Sequence, residues 1–196
     1  YSIPLIGMTA RADSSLGRAA DILLLVPDAA EACAETNAPT TSTTLMIALG
    51  DALAGFELMD AGFDEIGPLA DAFNRPQARL SDGQALAPFV TAMMDVSDGL
   101  LLDSERMAAA SQVGIEIDLA CVPLSPLYIN CRTDSLESRL QAASWGDDYQ
   151  LLFTARPDVM PPVYATAIGS VLSGGGLTLK DGATPVKLPP MLGYQH

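Results

Sequence analysis

Histidine is nearly missing from this 196-residue chain: one occurs, His196, at the last position. A Ser-His-Asp or Cys-His centre needs an imidazole held by its neighbours, so that class of nucleophilic chemistry is disfavoured. Cysteine is scarce as well. Cys33, Cys121 and Cys131 are odd in number and lack C-x-x-C spacing, which encodes neither a disulfide framework nor a zinc site. Three plain thiols fit a reducing compartment, and a cytoplasmic location is expected. Positive charge is sparse, with ten Lys and Arg against 24 Asp and Glu and a net charge of −14. Phosphate backbones are bound by clustered Lys and Arg, so nucleic acid is not an expected partner. A membrane is not expected either. The longest apolar stretch, "TLMIALGDALAGF" (44–56), is broken by Asp51 and is too short to span a bilayer. The opening "YSIPLIGMTARADSS" has no basic n-region and is not expected to act as a signal peptide.

What remains is apolar and acidic. Apolar residues make up 49% of the chain, enough for a packed core. The surplus of carboxylates suits divalent cations or a solvated surface. "IPLIGMT" (3–9) and "ILLLVP" (22–27) are continuous apolar strand patterns of the kind found in parallel sheets covered on both faces. A long helix is expected from about Thr43 to Ala61, with Leu45, Met46, Leu49, Leu53 and Phe56 on one face and Gly62 ending it. Residues 63–83, with Pro68 and Pro76, read as a seam. A helix over 82–90, a strand over 91–95, a helix over 99–112 and a strand over 114–120 follow, then a strand over 149–155. The tail from 164 to 188 reads as strands joined by glycine turns, with "SGGGLTLKDG" (173–182) as a hairpin turn. The pattern is that of an α/β fold.

Three stretches could carry chemistry. In "MMDVSDGLLLD" (93–103), Asp95 and Asp98 sit where a strand gives way to a helix. Ser97 or Asp98 could cap that helix, and the same corner could hold a phosphate and its metal. "NAPTTSTT" (37–44) places five hydroxyls ahead of the expected long helix, either as an N-cap with spares or as a phosphate cradle. "SWGDDYQLLF" (144–153) puts Asp147, Asp148 and the single Trp in a turn before a strand; alone it reads as a solvated turn.

"RPQARL" (75–80), "MMDVSDGLLLD", "GIEIDLACVPLS" (114–125), "GDDYQLLFT" (146–154) and the closing "LGYQH" (192–196) occur in an order that resembles the C-terminal domain of thiamine-monophosphate kinases, relatives of aminoimidazole ribonucleotide synthetase. That resemblance runs from about Asn74 to His196. It implies Mg²⁺ and ATP as cofactors, with Asp95 and Asp98 as metal ligands and Ser97 on the nucleotide. It also implies thiamine-phosphate contacts for Asp147, which stands where the family has Glu, and for Tyr194.

The first 60 or so residues resemble another family. "EACAETNAPTTSTT" (31–44), with the strands before it, is similar to the second half of the sugar-isomerase (SIS) domain of arabinose-5-phosphate isomerases. This implies a sugar-phosphate site at Glu31, Thr40, Thr41, Ser42 and Thr43. The expected organisation is an SIS remnant of two strands and one helix over 1–63, a junction over 64–81, and a kinase-like α/β domain over 82–196 packed with the remnant. The resulting expectation is a non-catalytic chimera derived from a kinase that phosphorylates thiamine phosphate to thiamine diphosphate. It would retain part of the Mg²⁺/ATP and substrate site and bind nucleotide or thiamine phosphate weakly. The alternative is residual sugar-phosphate binding. Open strand edges in the remnant predict a homodimer.

Overall fold

The structure is a computed structural model that describes residues 6–9, 18, 22–25, 42–45, 49–63 and 67–194. The chain divides into two compact units, 1–36 and 37–196. In the first, β1 (Ile6–Thr9) and β2 (Ile22–Leu25) pair in parallel, Ile6 opposite Ile22, as their unalternating apolar runs anticipate.

The second unit is built on a seven-stranded mixed sheet. Its strands are β3 (Ser42–Leu45), β4 (Val90–Asp95), β5 (Gly114–Asp118), β6 (Leu151–Ala155), β7 (Thr166–Leu172), β8 (Gly176–Asp181) and β9 (Thr184–Val186). Across the sheet they run β4-β6-β3-β7-β5-β8-β9. Only β5 and β8 are parallel; every other pairing is antiparallel. The helices are α1 (Asp51–Asp60), α2 (Pro68–Asn74), α3 (Leu80–Leu86), α4 (Leu100–Ser111), α5 (Pro126–Cys131) and α6 (Leu136–Ser144).

The expected helix over 43–61 is corrected at its start. Residues 42–45 form a strand, and the helix opens only at Asp51. "STTL" is β-branched at two of four positions, and its backbone hydrogen-bonds β6 on one side and β7 on the other. Sheet partners on both sides outweigh a local helical pattern. The hairpin turn expected in SGGGLTLKDG falls at its end, not at its glycine run. β7 and β8 do not pair, because β5 lies between them, antiparallel to one and parallel to the other. The hairpin in this region joins β8 to β9, with Asp181 opposite Thr184 and Gly182 at φ +61°.

Two apolar clusters hold the second unit together. The larger joins Leu49 and Leu53 of the α1 region, Leu100 and Leu101 of α4, Ile115 and Ile117 of β5, and Leu152 of β6. The smaller gathers Leu86, Phe153 and Ala155. Leu152 and Phe153 are adjacent and point to opposite faces, so β6 is buried on both. No helix among the described residues is long and apolar enough to cross a membrane.

Candidate functional site

β4 delivers the corner. Its last residue, Asp95, is exposed; Ser97 is half-buried and Asp98 buried. α4 begins at Leu100, after Gly99 at φ +120°, a conformation open to glycine and strained for other residues. Neither Ser97 nor Asp98 caps the helix, which corrects the capping expectation. Asp103, from the first turn of α4, reaches back instead. Its Oδ2 accepts the backbone N–H groups of Ser97 and Asp98, both at 3.0 Å, and its Oδ1 accepts from Arg106 at 2.8 Å. Arg106 also donates to the Asp98 carboxylate, and these two acids raise the guanidinium's pKa, Asp98 most. Asp103 is fully buried, and the sequence reading missed it. The signal available was an acid at the fifth position after Asp98 on the core-facing side of a helix.

The second segment is the turn between α6 and β6. Val96 N–H donates to Gln150 O at 2.8 Å, Tyr149 N–H to Val96 O at 2.9 Å, and Asp147 N–H to Ser97 O at 2.9 Å. A Cβ on Gly146 would lie 2.4 Å from Ser97 O, so only glycine lets the two backbones meet. Asp147 and Tyr149 have φ of +66° and +48°. Left-handed non-glycine residues cost free energy and persist where surrounding contacts over-determine them, often at functional sites.

The third segment is near the C-terminus. Tyr194 N–H donates to Asp98 O at 2.8 Å, and a Cβ on Gly193 would meet the same carbonyl at 2.2 Å. The Tyr194 side chain is exposed. Asp95, Ser97, Asp98, Asp147 and Tyr194, spread over a hundred residues of sequence, thus fall on three segments joined by backbone hydrogen bonds. Of the sugar-phosphate candidates, two lie among the described residues. Glu31, Thr40 and Thr41 lie outside the described residues, and Ser42 and Thr43 belong to β3, ahead of the helix they were expected to precede directly.

Next to this corner the turn meets α1. Asp148 Oδ1 accepts the Gly50 N–H at 3.2 Å, at the start of α1, where unpaired N–H groups favour an acid. Burial pushes the Asp148 carboxyl up to about 7; the Gly50 N–H pulls it back down in part, and the charge of Asp51 raises it further. Asp51 is also raised, chiefly by burial. Asp51, Asp147 and Asp148 line an open cleft of about 350 Å³ that also takes in Arg75 and Arg79. Among the described residues no cluster of three His, Cys, Asp or Glu is placed to hold a metal ion. The carboxylates of Asp95 and Asp98 are nonetheless hard oxygen donors of the type Mg²⁺ takes, needing further ligands from water or a nucleotide.

Known proteins resemble the chain in two places. Thiamine-monophosphate kinase of Aquifex aeolicus is 36% identical over 154 residues, covering 76% of this chain and 49% of the kinase. The structure of AaThiL complexed with AMPPCP and TMP superposes with a TM-score of 0.68 at 31% identity, covering 81% of this chain and 52% of that one. Arabinose 5-phosphate isomerase KdsD of Escherichia coli O157:H7 is 52% identical over 61 residues, 31% of this chain and 19% of the isomerase. The chain spans about half the length of the curated kinases it matches. The family described as AIR synthase related protein, C-terminal domain, matches residues 44–160. That span holds more than half of the chain, including α1, the 95–98 corner and the 146–149 turn, and through it the chain belongs to the AIR synthase related family.

Proposed function

We propose that the second unit holds thiamine phosphate and one side of a Mg²⁺–ATP site of the thiamine-monophosphate-kinase type. On this reading the chain as given binds these ligands without measurable turnover. The observation that carries the reading is the joining of the corner, the turn and the C-terminal segment. Every residue carried over from the kinase resemblance falls on those three segments. Further support comes from likeness to thiamine-monophosphate kinases, one related structure being a complex with AMPPCP and TMP. Asp95 and Asp98 would hold Mg²⁺, Ser97 would meet the nucleotide, and Asp147 and Tyr194 would meet thiamine phosphate. Bound Mg²⁺ supplies neutralisation of the charge on the transferring phosphoryl group. Asp103 fixes the corner's backbone, and Arg106 holds one oxygen of the Asp98 carboxylate.

Phosphoryl transfer depends on metal and positioning rather than on a covalent nucleophile. Two carboxylates, one of them paired with Arg106, provide little of that stabilisation, which is the basis for expecting binding without turnover. A second reading, sugar-phosphate binding by the first 60 residues, is supported by the 61-residue likeness to arabinose 5-phosphate isomerase. The same likeness supports viewing the chain as two joined pieces. Calorimetric titration of the full chain with Mg²⁺–AMPPCP, thiamine phosphate and arabinose 5-phosphate tests both readings. Saturable heat with the first two supports the kinase-derived site. Heat with arabinose 5-phosphate alone would replace it with the sugar-phosphate reading. Steady thiamine diphosphate production from ATP that is lost in Asp95→Asn would overturn the non-catalytic part.

A further inference from the structure

Two neighbouring backbone N–H groups, those of Ser97 and Asp98, point at one oxygen, Asp103 Oδ2, at 3.0 Å each. Successive N–H groups that converge on one point form a concavity of partial positive charge, the backbone nest that takes phosphate or carboxylate from solution in many proteins. Here the anion comes from the chain itself. Asp103 is fully buried, so its carboxylate fills the nest and is shut off from solvent. The carbonyls of the same two residues are engaged as well, by Asp147 N–H at 2.9 Å and Tyr194 N–H at 2.8 Å. The other Asp103 oxygen accepts Arg106 at 2.8 Å, and Arg106 also donates to the Asp98 carboxylate. Asp103 therefore holds the backbone of Asp98 directly and its side chain by way of Arg106. The charge around the nest is negative. Between residues 90 and 110 Arg106 is the only base, against Asp95, Asp98, Asp103 and Glu105. Tyr149, from the turn that meets the corner, reports the same field. Burial raises its phenol pKa most, and the charges of Asp147, Asp95 and Asp98 each add to the rise. An anion arriving alone meets a filled nest among acids, while a cation meets the exposed Asp95.

We propose that Asp103 is the specificity residue of the corner: as a built-in anion it closes the Ser97–Asp98 nest to phosphate and carboxylate ions and sets the corner to admit a cation, or an anion that brings a cation with it. Without that carboxylate the same two N–H groups become an anion site. Closure of the nest rests on the hydrogen bonds and burial of Asp103 alone. That the cation-borne anion is a nucleotide rests on the reading given under Proposed function.

The test follows the full chain, Asp103→Ala and Asp103→Asn by thermal unfolding and by the amide chemical shifts of Ser97 and Asp98. Asp103→Ala deletes a carboxylate the size of a formate ion, so formate is the first probe, compared with equal chloride. In Asp103→Ala formate should raise Tm by about 2–4 °C and move both amides. The wild type should ignore it, as should Asp103→Asn, which keeps a side-chain oxygen for the nest. Should Asp103→Ala fail to fold in chloride, recovery of folded chain on refolding in formate replaces the Tm shift. Formate without effect on Asp103→Ala in either measurement overturns the proposal. So does inorganic pyrophosphate in EDTA that moves the two amides of the wild type. The second probe is Mg²⁺ alone. Its affinity should fall tenfold or more in Asp103→Asn, and an affinity that the substitution leaves unchanged overturns the selectivity. The third probe, Mg²⁺–AMPPCP, separates this proposal from the kinase reading. Formate rescue without binding of Mg²⁺–AMPPCP would support the closed nest and overturn that reading. Binding of Mg²⁺–AMPPCP without formate rescue would do the reverse.

Discussion

Asp103 organises the corner although nothing in its identity marks it. Its carboxylate is buried and takes two backbone N–H groups and one guanidinium N–H. In Asp103→Ala the two N–H donors and the arginine lose their acceptor together, and stability should fall by about 3 kcal/mol, read by urea unfolding. A loss of a few tenths would mean that water or Asp98 replaces the carboxylate. Asp98 has a different expected signature. The cap position of α4 belongs to Gly99, so Asp98→Asn should abolish any Mg²⁺-dependent rise in Tm. Persistence of that rise would place the cation elsewhere. Asp148 carries a pH prediction. Its folded pKa of about 7 lies above the ordinary Asp value, so between about pH 4 and 7 the folded chain keeps a proton that the unfolded chain has lost. Its contribution to stability is fully present below about pH 4 and is lost as pH rises through 7. Asp148→Asn removes that titration and keeps the acceptor for Gly50. Relative to wild type the variant should gain ~2–4 kcal/mol between pH 4 and pH 8, read by urea unfolding at both values. A difference independent of pH would contradict the assignment. At this scale the strand-to-helix position of Asp95 and Asp98 was legible from local spacing, while a site role for them came only from the kinase resemblance. Asp103, Asp148 and Asp51 were not legible, because their roles come from which segments fold against them.

At the scale of elements, legibility followed the range of the contacts. "GIEID" alternates, and it forms β5 with Ile115 and Ile117 buried. The run from Leu100 to Ser111 carries its apolar face at helical spacing and forms α4. Residues 42–45 misled, and the turn in SGGGLTLKDG fell at Asp181 and Gly182 rather than at the glycine run, for one reason: strand partners lie far along the chain. "STTL" becomes a strand because β6 and β7 flank it, and SGGG fails to be a hairpin because β5 intervenes. Local propensity has no access to either fact. The approach of the 146–149 turn to the corner depends likewise on the bare backbone of Gly146. Gly146→Ala would press a methyl group on Ser97 O, and a cost of about 1–3 kcal/mol is expected. Amide exchange should speed at Asp147 and Tyr149 in the same variant, since their N–H groups donate across that contact. Unchanged exchange there would mean that the contact yields without opening the site.

At the scale of the whole molecule, the chain is two compact units with a break between Thr36 and Asn37. In the first unit, among the described residues, β1 and β2 pair only with each other. Edges of apolar parallel strands invite pairing with a second copy. A homodimer whose interface includes residues of the first unit is therefore expected, to be read by light scattering with and without residues 1–36; a monomer at micromolar concentration would contradict it. The central claim concerns the second unit: three segments distant in sequence form one ligand site. Calorimetry of thiamine phosphate in the presence of Mg²⁺–AMPPCP, on the full chain and on Asp95→Asn, Asp147→Ala and Tyr194→Ala, tests it most directly. The account predicts saturable binding to the wild type, weakened at least tenfold by a single substitution in any of the three segments. Binding that all three substitutions leave unchanged would contradict it, as would no binding at millimolar thiamine phosphate.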